Sequence, residues 1–338
     1  MKSSVLQLSA AAFLTGIVYI LCLSVGGKFI NPLSVFAGVS EDQTASVILN
    51  MRFFRLLNAA VVGAALSAAG LAYQAVLRNP LAEPYILGIS GGASIGAASA
   101  IAFNLTMLNA LILPASAFAG AMIVLFTVML IARGAGSEYS TNVILSGVVI
   151  GSVCSSILMF LISVMDMHAL HNITWWMLGS FQTPDKFMVT LVLAGTVTGT
   201  VILFLFGRDA NVLSFGEEAA FHFGISPRVS AFILLGTASL LTAAAVSISG
   251  IIGFVGLIIP HILRRVAGAD HRKLFPLSFF AGAVFLMICD SFARTVLYPT
   301  EIPVGVITAS LGGPFFLWLI NHKSRKVRRK RRRGRAES

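Results

Sequence analysis

The stretch from Gly250 to Arg265 reads Gly-Ile-Ile-Gly-Phe-Val-Gly-Leu-Ile-Ile-Pro-His-Ile-Leu-Arg-Arg, and it decides how the whole chain folds. It is too short to cross a bilayer as one straight helix, which takes about 20 apolar residues. Because residues 229–263 contain no Asp, Glu, Lys or Arg, we predict that the glycines divide this run into a full membrane span and a short returning segment. Broken helices persist in lipid only where protein or a water-filled cavity satisfies the freed backbone groups.

An interrupted helix of this kind is more typical of a transport path or a moving joint than of lipid-facing scaffold. A short buried helix with a proline kink is the alternative for this stretch taken by itself. The residues that define the broken-helix element are Gly253, Gly256, Pro260, His261 and Arg264.

Composition places the chain among polytopic membrane proteins. Of the 338 residues, 57% are hydrophobic and 11% are charged, which lies well outside the range of soluble proteins. The net charge of +11 is concentrated, because ten of the 24 Lys and Arg residues lie within 323–335. A basic block directly after the last apolar segment is typical of a cytoplasmic tail, either solvated or lying at anionic headgroups, and does not indicate nucleic-acid binding.

We predict one all-α membrane domain, 1–322, with ten transmembrane helices, followed by a disordered basic tail, 323–338. Two of the uncharged runs are long enough for a pair of helices each, with turns near 104–114 and at Gly250. Ten spans put both termini on one side, and placing them inside gives the cytoplasmic side most of the basic residues. The uncharged runs are 5–27, 56–77, 84–132, 139–165, 187–207, 229–263, 274–289 and 302–322.

Glycines and serines are dense in the predicted third and fifth spans, at 88–99 and 146–156. Small residues one helical turn apart let helices approach closely in lipid. The serine hydroxyls can line a path for a bulky solute or bond to carbonyls of their own helix, and the sequence leaves both readings open.

The sequence contains no Gly-x-x-x-x-Gly-Lys-Ser/Thr. Any ATP that drives transport is therefore expected to be hydrolysed on another subunit, and this chain is expected to be no enzyme and to hold no cofactor. The longest predicted cytoplasmic connection, 207–228, has Ser214 and Glu217 at capping-box spacing. A short helix there would display acids and aromatics, which is typical of docking onto a partner or of lying on lipid headgroups. Its residues are Gly216, Glu217, Glu218, Phe221, Phe223 and Gly224.

Three arginines mark the predicted outer side. Arg52 and Arg55 precede the second span, and Arg294 lies one turn after Asp290. We expect these arginines to be exposed. They can receive carboxylates from a delivery protein, or Arg294 can simply pair with Asp290 along its helix.

Other patterns indicate function only weakly. His168 and His171 share a turn in an outer connection, but two histidines do not make a metal or haem site by themselves. Gly-Ile-Ser-Gly at 88–91 matches the Gly-x-Ser-Gly of rhomboid intramembrane proteases, a fold that ten spans fit badly. A secondary transporter is the other alternative, although ion coupling asks for an acidic residue near the membrane midplane and the apolar runs contain none.

Four stretches, in this order, closely resemble the permease subunits of type II ABC importers for iron-siderophores, haem and cobalamin. The similarity extends from about Arg52 to Ile320. The stretches are Arg-Asn-Pro-Leu-Ala-Glu-Pro-Tyr-Ile-Leu-Gly-Ile-Ser-Gly-Gly-Ala at 78–93, Gly-Phe-Val-Gly-Leu-Ile-Ile-Pro-His-Ile-Leu-Arg at 253–264, Asp-His-Arg at 270–272 and Glu-Ile-Pro-Val-Gly at 301–305.

The resemblance implies a ten-span subunit of the bacterial inner membrane that imports one of these chelates by alternating access. It also implies a homodimer, two cytoplasmic ATPases that bind ATP and Mg, and a periplasmic or lipid-anchored binding protein. The substrate itself is not determined by the sequence.

Individual residues can be carried over by position from the same resemblance. Arg52 and Arg294 are similar to arginines that receive glutamates of the binding protein, and 216–224 is similar to the helix that couples to the ATPase. One departure is Phe54, where the family usually has proline, so the fixed backbone angle that proline would give Arg52 is lost. The residues similar to cytoplasmic gates are Asn79, Leu81, Ser140 and Thr141.

Overall fold

The computed structural model describes residues 2–27, 29–32, 35, 43–133, 139–182 and 185–334, with side chains for all of these except 2–5, 43, 133 and 320–334. Thirteen α-helices and two short 3-10 helices make up this described part, which contains no strand. The predicted all-α class is confirmed.

The 3-10 helices are Pro84–Leu87 and Leu105–Met107. The α-helices in chain order are α1 (Lys2–Ser24), α2 (Gln43–Val76), α3 (Ile89–Ala102), α4 (Ile112–Arg133), α5 (Tyr139–Val164), α6 (Met167–Met177), α7 (Lys186–Leu205), α8 (Gly207–Leu213), α9 (Glu217–His222), α10 (Pro227–Ser249), α11 (Val255–Ala267), α12 (His271–Thr295) and α13 (Val304–Gly334).

Seven of these helices are long and apolar enough to cross a membrane, namely α1, α2, α4, α5, α7, α10 and α12. Two further apolar helices are shorter, α3 and the part of α13 from Val304 to Leu319, and α11 has 13 residues. The chain is therefore a multi-pass membrane protein, and the count of ten spans stays a prediction.

Both predicted divisions of the long apolar runs are confirmed. The first run turns at 103–111, between α3 and α4, and the second is interrupted between Ser249 and Val255. The helix that contains the predicted second span, α2, begins at Gln43 and includes both arginines that were expected to precede that span. The boundary of the span itself stays a prediction. The backbone of α13 is helical to Gly334. Since its side chains from residue 320 lie outside the described part, the disorder of the tail stays a prediction.

The central helix of the bundle is α2. In its most apolar stretch, 89% of the residues are buried. It packs against α12 and α11 through pairs of glycines that bring backbone against backbone. A Cβ atom on Gly63 would overlap the carbonyl of Gly282, and one on Gly70 would overlap that of Gly256. Such close approach between helices is what small residues permit in lipid.

The predicted small-residue faces of the third and fifth spans make similar contacts. On α3, a Cβ atom on Gly92 would lie 2.5 Å from the carbonyl oxygen of Gly120 in α4. On α5, a Cβ atom on Gly147 would lie 2.8 Å from the carbonyl oxygen of Ile86. Close packing is therefore confirmed as one role of these glycines.

Two ends of the bundle are named for what lies there. At the arginine end α1 finishes, α2 begins, and Arg52, Arg55 and Arg294 are found. At the loop end α2 finishes, α5 begins, and the short helices α8 and α9 connect α7 to α10.

Candidate functional site

The broken-helix element lies inside the bundle, in the gap between α10 and α11. Gly250 has φ 69° and ψ −163°, a region that is essentially restricted to glycine, and a Cβ atom there would overlap the carbonyl oxygen of Trp176. Phe254 has a positive φ of 69° at the start of α11. The backbone groups between these two residues therefore need partners from outside their own helices.

The stretch 78–93 supplies those partners. Glu83 Oε1 accepts a hydrogen bond from the backbone N–H of Phe254 at 2.6 Å. The Tyr85 hydroxyl donates to the carbonyl oxygen of Ile252 at 2.9 Å and lies 3.2 Å from the backbone nitrogen of Ile252, which donates to it. Two stretches that are far apart in the sequence thus form one structural unit. This confirms the prediction that other parts of the protein satisfy the freed backbone groups.

The proline inside α11 is compensated in the same way. Pro260 has no N–H, so it cannot donate to the carbonyl of Gly256 four residues earlier. Gln74 of α2 donates to that carbonyl through Nε2 at 3.0 Å, and its Oε1 accepts from Arg264. Sequence reasoning missed Gln74, although a lone glutamine in a long apolar run is the signal that would have indicated it. His261 lies edge-on to Phe315, with ring centroids 5.9 Å apart.

At the loop end, the structure brings the predicted gate and the predicted coupling helix into contact. The Ser140 hydroxyl, in the first turn of α5, donates to Oε1 of Glu217 in α9 at 2.9 Å. Gly216 lies beside Arg78, since its Cβ atom would be 3.4 Å from Nη1 of that arginine. The start of α5, the loop after α2 and α9 therefore form one cluster.

The predicted capping box at the start of α9 is wrong. The N-cap residue is Gly216, with φ 121° and no side-chain cap. The Ser214 hydroxyl instead donates to the carbonyl oxygen of Asn211, while the Glu217 carboxylate accepts from Ser140. Both members of the expected box are engaged elsewhere.

The display of aromatics by this connection is confirmed. Phe221 is 74% exposed and Phe223 is 66% exposed, and Glu218 is also exposed. The helix ends where Gly224 takes a φ of 73°. Phe215, which the sequence analysis did not single out, is 82% exposed and enlarges the same apolar surface.

The other predicted gate residues lie on the surface of the loop end. Asn79 Oδ1 accepts from the backbone N–H of Leu81 at 2.9 Å, which makes a tight turn. Leu81 is 46% exposed and Thr141 is exposed. Among the described residues, hydrogen bonds connect Ser140 to α9, and none connects Thr141 to it.

The stretch at 270–272 fastens α8 to α12. Asn211 Nδ2 donates to Oδ1 of Asp270 at 2.8 Å, and Asn211 Oδ1 accepts from the backbone N–H of His271 at 2.8 Å. The hydrogen bond from Asn211 lowers the pKa of the Asp270 carboxyl, with smaller contributions from the Arg272 N–H and nearby basic charges, while burial opposes the shift. Asn211 was not predicted, because its partners lie some 60 residues away.

At the arginine end, two arginines and two acids form a network. Arg55 Nε lies 2.9 Å from Oδ1 of Asp290, and Arg55 Nη1 lies 2.8 Å from Oε2 of Glu301. Arg294 Nε lies 3.0 Å from Oδ2 of Asp290, an ion pair whose angles fall outside hydrogen-bond geometry. Burial raises the pKa of the Glu301 carboxyl, but the interactions with Arg55 and a bond from Gln182 outweigh it, so the net pKa is lowered.

The expectation that these arginines are exposed is wrong. Arg52 and Arg55 are 9% exposed, Arg294 is 6% exposed, and Asp290 is fully buried. Besides the ion pairs, carbonyl oxygens at the end of α1 accept from the arginines, Leu23 from Arg52 at 3.2 Å and Cys22 from Arg294 at 3.3 Å. The carboxylate partners and the end of α1 together cover the guanidinium groups.

One surface of α5 is exposed along its length, and an open cavity of about 370 Å³ lies between α3, α5 and the broken-helix element. Ser90 and Ser152 are among its lining residues. The hydroxyls of Ser152 and Ser155 donate to carbonyls one turn earlier in α5. Ser152 and Ser155 therefore bond to carbonyls of their own helix and also line the cavity, while a path for a solute there stays a prediction.

The two histidines of the outer connection, His168 and His171, both lie in α6. His171 stacks on Trp175, with ring centroids 5.9 Å apart. Within the described ranges, no group of three His, Cys, Asp or Glu side chains is placed to hold a metal ion.

The model of the FecCD transport family matches residues 14–322 of this sequence. The chain belongs to the FecCD transport family. Among curated relatives, it is 40% identical to the cobalamin import system permease protein BtuC of Halobacterium salinarum, over 86% of this chain and 77% of that protein. It is 37% identical to the hemin transport system permease protein HmuU of Yersinia pestis, over 83% of this chain and 85% of that protein.

The fold of this FecCD member is similar to that of a solved metal-chelate type ABC transporter in an inward-facing conformation. The TM-score is 0.84 at 28% sequence identity, over 93% of this chain and 98% of that one. The chain is thus a permease subunit of the ABC importers, in a family whose members serve iron chelates, haem and vitamin B12. Such a permease implies an ATPase and a substrate-binding protein, and the relatives with named functions are transport permeases.

Proposed function

We propose that this chain forms the membrane path of an importer that moves an iron chelate, haem or cobalamin into the cytoplasm. ATP bound and hydrolysed on two separate subunits drives alternating access, and the chain works as a homodimer in the bacterial inner membrane with both termini in the cytoplasm. No cofactor is held by the chain itself.

The observation that carries this proposal is the bond between Ser140 and Glu217. It connects α9, which presents exposed aromatics to a partner, to the first turn of α5, whose exposed face borders the open cavity. A partner that moves α9 would therefore move the start of α5 with it. This is the mechanical connection that an importer needs between an external ATPase and its own gate.

Substrate delivery is proposed to occur at the arginine end. For Arg52, Arg55 and Arg294 to receive carboxylates from a binding protein, their guanidinium groups would exchange partners with Asp290, Glu301 and the end of α1. An arginine fork can hold one carboxylate in place of another with the same bidentate geometry. The internal acids then keep the arginines charged and oriented until the delivery protein arrives.

A panel of substrates in cells that lack this chain tests the function. Uptake of labelled haemin, cobalamin and a ferric siderophore is measured with and without a plasmid copy of the chain. We expect uptake of one of these classes to fall at least about tenfold without the chain, and to return with the plasmid. Unchanged uptake of all three would contradict the proposal.

A further inference from the structure

A cavity of about 560 Å³ lies within the arginine end, between α2, α6, α7 and α10, and polar side chains interrupt its largely apolar wall. It is called the polar cavity for those side chains. Its wall includes Asn58 of α2, Trp175 of α6 and Ser247 of α10. Tryptophans are enriched where a membrane meets water, so α6 has the composition of a segment at headgroup depth.

Asn58 makes this cavity unusual. Its side chain is 1% exposed, and neither Nδ2 nor Oδ1 has a hydrogen-bond partner among the described residues. A buried amide left without partners destabilises the folded chain. Asn58 sits on the central helix and lines the cavity, so a rotation of its amide toward the cavity would let a polar molecule there supply the missing partners.

An apolar groove of about 690 Å³ adjoins the polar cavity and runs between α4, α7 and α10. The two share Pro114, Met188 and Ser247 as wall residues. Along α7 the groove extends from Met188 to Ile202, which is about 21 Å at 1.5 Å per residue. This exceeds the depth of about 15 Å that one leaflet of a bilayer core provides.

One glycine keeps this groove open. Gly195 of α7 lines it, and a Cβ atom there would meet nothing within 4 Å. Close packing therefore does not require glycine at this position, and glycine weakens a helix interior relative to alanine. The missing side chain instead widens the groove midway along its length.

We propose that the chain binds one membrane phospholipid, with its headgroup in the polar cavity and an acyl chain in the apolar groove. Among the described residues that line the cavity, Asp185 carries a carboxylate, His171 is the other titratable side chain, and no lysine or arginine is present. The ammonium of the neighbouring Lys186 lies over the Phe54 ring, 4.5 Å from its centroid. The charge of the cavity therefore selects a headgroup that carries an ammonium, as phosphatidylethanolamine does, over an anionic one.

Native mass spectrometry of the full-length chain, purified in mild detergent and given dioleoyl-phosphatidylethanolamine or dioleoyl-phosphatidylglycerol, tests the proposal. We expect one phosphatidylethanolamine per chain in the wild type. Gly195→Phe, which fills the groove, should lower that occupancy at least about tenfold in apparent affinity. The matched control is Gly16→Phe in α1, where an added Cβ atom also meets nothing within 4 Å, and it should retain the lipid.

Asn58→Leu tests the headgroup end with a side chain of similar size. We expect it to lose the phosphatidylethanolamine without lowering the unfolding temperature of the lipid-free chain, because the leucine removes the unpartnered amide. The proposal is overturned if the wild type retains no lipid or binds phosphatidylglycerol equally well. It is also overturned if Gly195→Phe binds the lipid as well as Gly16→Phe does, or if Asn58→Leu binds it as well as the wild type does.

Discussion

At position 250 the backbone takes a conformation that only glycine adopts easily. It also packs directly against the backbone of Trp176. We expect Gly250→Ala to destabilise the chain, by about 1–3 kcal/mol for the dihedral angles and a further 1–3 kcal/mol for the overlap with Trp176. Thermal unfolding of the purified chain measures this.

Gly236→Ala in α10 is the control, since an added Cβ atom there meets nothing within 4 Å. In a helix interior that substitution is expected to stabilise by up to about 1 kcal/mol. Equal shifts of the two unfolding temperatures would show that the break at Gly250 does not depend on glycine.

Glu83 gives a second prediction, which concerns pH. Burial raises the pKa of its carboxyl above the ordinary value of 4.5, and the bond from the Phe254 N–H offsets part of the rise. The folded chain thus holds this proton more tightly than the unfolded chain. The stability that comes from this tighter proton binding is fully present below the pKa of Glu83 in the unfolded chain. It is lost as the pH rises through the pKa of Glu83 in the folded chain.

Glu83→Gln keeps an oxygen that accepts from Phe254 and removes the titration. We expect the unfolding temperature of the variant to exceed that of the wild type by a margin that increases as the pH rises above the ordinary glutamate pKa of 4.5. The control is Glu218→Gln, an exposed glutamate in α9. The account of Glu83 fails if both variants follow the wild-type pH profile in parallel.

The buried pair of Asp290 and Arg294 allows docking to be separated from folding. Arg294→Gln leaves Asp290 with Arg55 as its ion-pair partner, so it should destabilise the chain by less than the roughly 3–5 kcal/mol that a buried carboxylate without any partner would cost. The double variant Asp290→Asn with Arg294→Gln removes both charges and should recover most of that loss in thermal unfolding.

The same double variant is then folded and can be assayed for docking. If Arg294 receives a carboxylate of the binding protein, its affinity for that protein should fall at least about tenfold, or 1.4 kcal/mol. Arg272→Gln, an exposed arginine at the loop end, is the matched control and should dock normally. Wild-type affinity in the double variant would leave the arginine with a purely structural role.

Among the elements, α9 carries the sharpest prediction. Glu217→Arg with Phe221→Ala should leave the permease folded, because Phe221 is exposed and Glu217 is only partly buried. It should abolish association with the ATPase or turnover stimulated by substrate, which co-purification and uptake measure. Glu217→Gln, which can still accept from Ser140, should assemble and transport. Normal assembly and uptake in the double variant would remove α9 from the coupling path.

The elements differ in how far the sequence could predict them. The interruption at Gly250 and the turn at 103–111 follow from apolar runs too long for one span. The start of α2 could not be placed, because arginines normally end a membrane span. Here Arg55 is buried by acids that lie 235 and 246 residues further along the chain. The sequence carries no local signal for such pairs.

On the scale of the whole molecule, hydropathy was enough to predict an all-α membrane protein. The resemblance in four stretches predicted the family, but it did not predict the contact between Ser140 and Glu217. It did not predict how the stretches hold one another, since the bonds from Glu83 to Phe254 and from Gln74 to Gly256 join distant segments. Those contacts depend on the three-dimensional packing of α2 against α11.

The central claim is that ATP hydrolysed on partner subunits drives solute through this chain. Uptake into proteoliposomes that contain the permease, with or without its ATPase subunits and with the binding protein and substrate outside, tests it most directly. The account predicts accumulation only when the ATPase subunits and internal ATP are both present. Accumulation driven by an ion gradient in liposomes without the ATPase subunits would contradict it and indicate a secondary transporter.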